Sequence, residues 1–535
     1  TLDRSSAASD VYKRQIVEAL SLTVSSGSSS NLKTSSSMFD KSRPSSTFSL
    51  SSIFFLNIYH AQEVFNGYTI FTPQQGNPNS GAQTLLLNNN QQTIHSWTHE
   101  RGPASMPYLL QGEEPGLENC ILVYPYRVIN PTMDSGGVGG GVQFVDWDSN
   151  ILWDFVLSNE QYQHHHDVEP VPDGNGGHNI LMVAWEAFTV EEAYDMGRSP
   201  GSIDNPLNQM WSTAILEVEP YTNRVVWEWH LWDHMVQERG ANYGATFGNV
   251  EDHPELMNIN EGNVGSGNGP GGSNADWIHI NAIDYNETLD QIAISSRFMS
   301  EVYVIDHSTT TEQAASHEGG NSGKGGDFLY RWGNPQIYNR GSNADQILDD
   351  QHSVNWIPYG YPGEGNLIVF NNRHNGNQSA GLEFSPPLME DGNYYISEND
   401  SFGPEEPTWV YHPGAGWHSN VQSGAFRLPN GNTLLTVADD AEIYEVTYEG
   451  EVVWEYNYPG NNSMIARAQK YAIDAFDYQP LLGDINGDEI LNVLDVILVV
   501  NMILGSVDID LNGDMNIDNG INVLDVVLLV NEILS

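Results

Sequence analysis

The alternation of apolar and polar residues between positions 68 and 456 keeps returning to one phrase, a short apolar strand that ends in tryptophan. It reads Thr93-Ile-His-Ser-Trp97, Ile151-Leu-Trp-Asp-Phe155 and Val225-Val-Trp-Glu-Trp229, then Phe328-Leu-Tyr-Arg-Trp332, Thr408-Trp-Val-Tyr411 and Val452-Val-Trp-Glu-Tyr456. A second phrase precedes several of these: Pro172-Asp-Gly-Asn175 leads into Ile180-Leu-Met-Val183, and Pro429-Asn-Gly-Asn432 into Thr433-Leu-Leu435. Asp-Gly and Asn-Gly between apolar runs signal tight hairpins. A third phrase lies between the two, as Val142-Gln-Phe-Val145, Ile215-Leu-Glu-Val218 and Ile443-Tyr-Glu-Val446. Each unit thus predicts four antiparallel strands. Six such units predict an all-β, six-bladed β-propeller, because one blade cannot bury both its faces alone. The tryptophan is expected to pack between blades.

The pattern changes at both ends. Residues 1–37 are Ser-rich without a hydrophobic period, and Thr1 to Gln15 reads as a translated sequencing adapter. Lys41 and Arg43, an apolar run from Phe48 to Tyr59 and then Ala61 predict a signal peptide cleaved near Ala61, too short and Ser-rich to span a membrane. The expected division is a leader over 1–61, a propeller over 62–478 and a small calcium-binding domain over 479–535. In the last segment Asp484, Asn486, Asp488, Ile490, Asn492 and Asp495 occupy positions 1, 3, 5, 7, 9 and 12 of a calcium loop. Asp514, Asn516, Asp518, Gly520, Asn522 and Asp525 repeat the spacing, with a competing register beginning at Asp510 and Asn512. An apolar helix is expected after each loop, Val493 to Leu504 and Val523 to Leu534.

The 535 residues include 70 acidic and 19 basic ones, for a net charge of −51. Such a chain repels a phosphate backbone, which excludes nucleic-acid binding. The single cysteine, Cys120, excludes an internal disulfide. Against this acidic background the histidines stand in register. His166 and His352 each lie six residues before a proline, and His279 has the same layout without the proline. In the last unit that register falls on Ser423, with His418 five residues earlier. The start of a blade is its innermost strand, so these imidazoles are expected at one axial pocket. Arg297 and Arg373 lie on the strands after His279 and His352. Cations converging there describe an anion site, with imidazole available as nucleophile, proton carrier or charge stabiliser. Three histidines can also hold zinc, which the nearby arginines oppose.

Several segments resemble the bacterial arylsulfotransferases: Gly137 to Phe144, His165 to Pro170, Val226 to His234, Asp276 to Asn281, Tyr330 to Pro335, Gln351-His352 and Ser423 to Asn432. The resemblance implies a six-bladed propeller and sulfuryl transfer from an aryl sulfate donor to a phenolic acceptor without a nucleotide cofactor, through a histidine intermediate. It matches His279 and His352 to pocket histidines and Arg373 to the arginine, and puts His418 about where the family's nucleophile falls. The tail resembles a dockerin, which implies Ca²⁺ and a cohesin-like protein partner, although Val-Leu stands at loop positions 10 and 11 in both copies. Together these describe a secreted enzyme tethered by its tail. The alternative is a non-catalytic propeller for ligand binding or extracellular surface assembly.

Overall fold

Short strands of alternating polarity can bury both faces only by stacking, and the burial of the four strands in each blade follows from that. The computed structural model describes residues 63–535 apart from 76–79, 113, 263, 266–274, 377, 461–462, 478–481, 487–490, 508, 510, 517–519 and 534–535. The leader over 1–61, Asp488, Ile490 and Asp518 therefore lie outside the described residues.

Six four-stranded antiparallel sheets form the ring. Blade 1 runs from Ser463–Ala472 at the axis through Gly67–Gln75 and Ala82–Leu87 to Thr93–His99. Blade 2 is Tyr108–Leu110, Ile121–Arg127, Gly140–Val145 and Ile151–Val156. Blade 3 is Tyr162–Pro172, His178–Thr189, Gln209–Glu219 and Arg224–His230. Blade 4 is Ile280–Asn286, Gln291–Ser296, Glu301–Asp306 and Tyr330–Trp332. Blade 5 is His352–Trp356, Leu367–His374, Gln378–Phe384 and Trp409–Tyr411. Blade 6 is Gly424–Arg427, Thr433–Val437, Glu442–Val446 and Val452–Asn457. The ring closes because Ser463–Ala472, from the far end of the domain, pairs with Gly67–Gln75.

The six tryptophan phrases form the six outermost strands. Each indole N–H crosses to the next blade, at the turn between that blade's third and fourth strands. Trp97 donates to the Asp146 carbonyl (3.0 Å), Trp153 to the Asn223 side chain (2.7 Å) and Trp227 to the Thr309 hydroxyl (3.2 Å). Trp332 donates to the Pro404 carbonyl (2.7 Å), Trp409 to that of Tyr448 (2.7 Å) and Trp454 to that of Asn89 (2.9 Å), which returns to blade 1. One residue type thus supplies both apolar area and a directional link at all six junctions.

An ion-pair clamp joins blades 3 and 4. His307 meets Asp290 through Nδ1 (2.7 Å) and Glu217 of blade 3 through Nε2 (3.0 Å). Burial opposes its charge, but the two carboxylates outweigh burial and raise the imidazole to about 9. A pKa raised on folding stabilises fully below the unfolded value near 6.5 and stops doing so as pH rises through about 9. His307→Gln is expected to cost about 3 kcal/mol at pH 6 and much less at pH 10. Thermal unfolding of both proteins at the two pH values checks this; an equal difference at both would refute the clamp.

Beyond the propeller, helices Val493–Ile503 and Val523–Ile533 follow the two acidic loops. In each copy the ninth and twelfth loop residues cap the helix: the Asn492 and Asn522 side chains accept from Leu494 and Leu524, while Asp495 and Asp525 accept from the Asn492 and Asn522 amides. Among the described residues no helix is long and apolar enough to cross a membrane.

Candidate functional site

Irregular pairing at the start of three innermost strands turns histidines inward. The register slips between His164 and Val168, between Ile280 and Ala282, and between His352 and Asn355. His166 (φ 55°), His279 (φ 53°), Ser353 (φ 62°) and Ser423 (φ 82°) adopt left-handed backbone there. Bulges of this kind re-aim side chains at sheet rims. His166, His279 and His352 line one axial cavity of about 120 Å³, together with Arg127, Arg297 and Gln422. The ring centroids of His166 and His279 are 4.6 Å apart, and those of His166 and His352 are 6.4 Å apart. Position 137 has to be glycine, because a Cβ there would come within 1.8 Å of the His166 ring.

Each imidazole has a different support. His279 Nδ1 lies 2.5 Å from the Asp276 carboxylate, whose other oxygen accepts from the Trp185 indole at 3.0 Å. His352 Nδ1 faces the Asn372 amide oxygen at 2.8 Å. The Asn372 NH₂ donates to the carbonyls of Ser419 and Gln422, which fixes that amide as an acceptor toward His352. His352 therefore carries its proton on Nδ1 and keeps a lone pair on Nε2 when neutral. His166 Nδ1 meets His165 Nδ1 at 2.9 Å, and His165 stacks on Trp185. Burial, followed by the charges of His279 and its other neighbours, holds His166 well below the usual range. Burial, then Arg297, does the same to His352.

The two cavity arginines keep unused donors. Arg297 pairs with Asp350 through Nη2 (3.0 Å), but its buried Nε has no partner. Arg127 Nε is likewise buried and unpartnered, and burial lowers the pKa of that guanidinium. Guanidinium donors without acceptors, beside the imidazoles of His166 and His352 that burial favours as neutral, suit an oxyanion. A larger cavity of about 270 Å³ is lined by Glu169 and Asp284 as well as Arg427, Arg467 and Lys470. Burial raises both of those carboxyls, Asp284 to about 7, and with the three cationic side chains they make this a cavity of mixed charge.

Two residues that the sequence grouped with the pocket stand apart from the cavity lining. Arg373 is half-exposed and binds at 3.0 Å the same Asp350 carboxylate oxygen that Arg297 meets, but only Arg297 lines the cavity. Strand Leu367–His374 slips register between Asn371 and His374, and Asn372 is the residue turned to His352. Adjacent strand residues face opposite ways, so Arg373 faces outward. His418 sits in the loop before blade 6, near the Ser379 hydroxyl (3.3 Å) and the Asn420 side chain (3.1 Å). Blade 6 reaches the cavity through Val421 and Gln422 instead. Sequence reasoning missed Arg127, Asp276 and Asn372 as site residues. Arg127 ends the second strand of blade 2, the position that Arg297 and Arg373 follow or occupy in blades 4 and 5, so the same register pointed to it.

The family model described as arylsulfotransferase (ASST) matches residues 150–474. No curated protein matches the chain. Similar solved structures include a Bacteroides caccae protein of unknown function (10% identity, covering 76% of this chain and 98% of that one, TM-score 0.37). A putative 6-phosphogluconolactonase from Bacteroides uniformis gives 10% identity, 76% and 100% coverage and a TM-score of 0.35. Apo AztD from Citrobacter koseri gives 9%, 76% and 98%, and 0.32.

Proposed function

The chain belongs to the arylsulfotransferase family, and on that premise we propose that its axial cavity transfers a sulfuryl group from an aryl sulfate to a phenol through His279, without a nucleotide. The observation that carries this reading is the Asp276–His279 pair beside two guanidiniums with unused donors. The Nε2 lone pair of His279 attacks sulfur, the S–O(aryl) bond breaks, and the phenolate leaves with the electron pair. The sulfurylated ring keeps its proton on Nδ1 and becomes cationic, which the Asp276 carboxylate offsets. Arg127 and Arg297 hold the sulfuryl oxygens. The acceptor phenol then attacks sulfur, His352 Nε2 takes its proton, and the S–N bond breaks. Burial favours the neutral forms of both His166 and His352.

Release of nitrophenolate from 4-nitrophenyl sulfate, with and without phenol and with no nucleotide added, tests the reading. Acceptor-dependent release is expected. Its absence over a panel of phenols would favour a binding propeller.

The tail adds a tether in this proposal, for a secreted protein that docks to a cohesin-like partner. Residues 482–535 hold no Lys, Arg or His, yet Asp484, Asp495, Asp514 and Asp525 are buried, and one Asp525 oxygen has no bonding partner among the described residues. Such a donor set fits Ca²⁺ held by Asp484, Asn486, Asn492 and Asp495 in one loop and by Asp514, Asn516, Gly520, Asn522 and Asp525 in the other. Asp488, Ile490 and Asp518 complete the two sets by spacing. Val493, Leu494 and Ile497 are exposed, and so are Val523, Leu524 and Val527 thirty residues later, which gives a partner two matching apolar patches. In the full chain, EGTA is expected to speed amide exchange across 484–533 while leaving the blades protected, and added Ca²⁺ to reverse it. Unchanged protection of both helices would refute calcium-dependent folding.

A further inference from the structure

Away from the axis, among the described residues, one set of side chains has ligand atoms spaced to hold a metal ion: His234, His317 and Asp327, all within 4.8 Å of one another. His234 lies between a 3₁₀ turn, Leu231–Asp233, and a short strand, Met235–Gln237, just past the outermost strand of blade 3. His317 and Asp327 lie on the long connection between the third and fourth strands of blade 4, which also holds helix Thr311–Ala314.

His234 is wholly buried, and its Nε2 donates to the Ala314 carbonyl at 2.7 Å. In the neutral ring that leaves a lone pair on Nδ1, 2.7 Å from Asp327 Oδ1. His317 Nδ1 meets the same oxygen, also at 2.7 Å. A lone pair facing a carboxylate oxygen repels it unless a proton or a metal ion lies between them. A ring nitrogen bonded to a backbone carbonyl, with the other turned to a carboxylate, is the arrangement that orients a metal-binding histidine. The ring is held in place on both sides. It lies parallel to Trp229 (2° between planes), and a Cβ at Gly326 would come within 2.6 Å of its Nε2. The site is therefore built by the buried packing of two blades.

We propose that His234, His317 and Asp327 bind a zinc ion that fastens the blade 4 connection to the rim of blade 3. Two imidazole nitrogens and one carboxylate oxygen suit Zn²⁺ rather than Ca²⁺, which takes six or more oxygens. The half-exposed His317 leaves the fourth position to water. Such a tie would add to the hydrogen bonds that hold the connection, whose second half carries Gly319, Gly320, Gly323, Gly325 and Gly326 and so loses more entropy on ordering. This ion is separate from the axial chemistry and from the tail calcium.

The test uses the full chain, stripped of transition metals and kept in millimolar Ca²⁺. Zn²⁺ is titrated against a chromophoric chelator, and Co²⁺ substitution reads the ligand field by visible absorption. One Zn²⁺ per chain is expected, with a rise in Tm of about 3 °C or more on binding. His317→Ala removes a half-exposed ring that the core does not need, and it should weaken binding by about a hundred-fold or more. Asp327→Asn should act the same way, while His352→Ala should titrate like wild type. The proposal is overturned if the wild type takes up no zinc, if His317→Ala binds as tightly, or if His352→Ala is the variant that loses the ion.

Discussion

Replacing His279 with Ala is expected to lower sulfuryl transfer by about a thousand-fold or more, because the covalent route needs a nucleophile that nothing else in the cavity replaces in the same environment. His352 has an amide oxygen behind it and His166 has another imidazole, whereas His279 has a carboxylate. Only a carboxylate carries the full negative charge that offsets a sulfurylated, cationic ring. Asp276→Asn should therefore cost about a hundred-fold or more with the imidazole still present. Loss of packing alone would also reduce activity, so a second readout is needed. Added imidazole should restore part of the rate of His279→Ala and none of Asp276→Asn, and rapid-quench peptide mapping should find the sulfuryl group on the His279 peptide of the wild type. If His279→Ala keeps a tenth of the activity while His352→Ala keeps none, the nucleophile is His352.

The ring was legible because each blade repeats an alternating pattern that ends in one large residue, and Trp97 through Trp454 occupy equivalent places in all six. The closing strand Ser463–Ala472 had no such phrase, and its partner Gly67–Gln75 lies at the other end of the domain, so local pattern could not pair them. The histidine register was legible too: His166, His279 and His352 line one cavity. Their positive-φ bulges were not, since alternation alone treats strands as regular. The same irregularity explains Arg373. A slip between Asn371 and His374 puts Asn372 toward His352 and its neighbour outward, a reversal of faces that one residue of register decides. Asp276 was in view as part of Asp276-Trp-Ile-His279, but its contact with His279 depends on the bend before the strand.

Arg297 and Arg373 share Asp350 but should behave differently when removed. Arg297→Ala is expected to lower kcat/KM by about a hundred- to a thousand-fold, the usual effect of losing one preorganised oxyanion donor. Arg373→Ala, which empties no position in the cavity lining, should cost less than about ten-fold. Asp350 keeps a cation in either single variant, so neither leaves a carboxylate stranded. Arg297→Lys should recover only part of the loss, because an ammonium cannot present two donors in a plane. The pH profile separates electrostatics from packing. Burial and then Arg297 depress His352, and the proposed base must be unprotonated at Nε2 to take the acceptor's proton. Activity should then persist below the ordinary histidine range in wild type. Removing Arg297 takes away a cation that disfavoured protonation, so the His352 pKa rises and the acid limb moves to higher pH. Arg373→Ala should leave that limb where it is. A slower Arg297→Ala with an unmoved acid limb would keep the arginine as an oxyanion donor and remove His352 from the role of base.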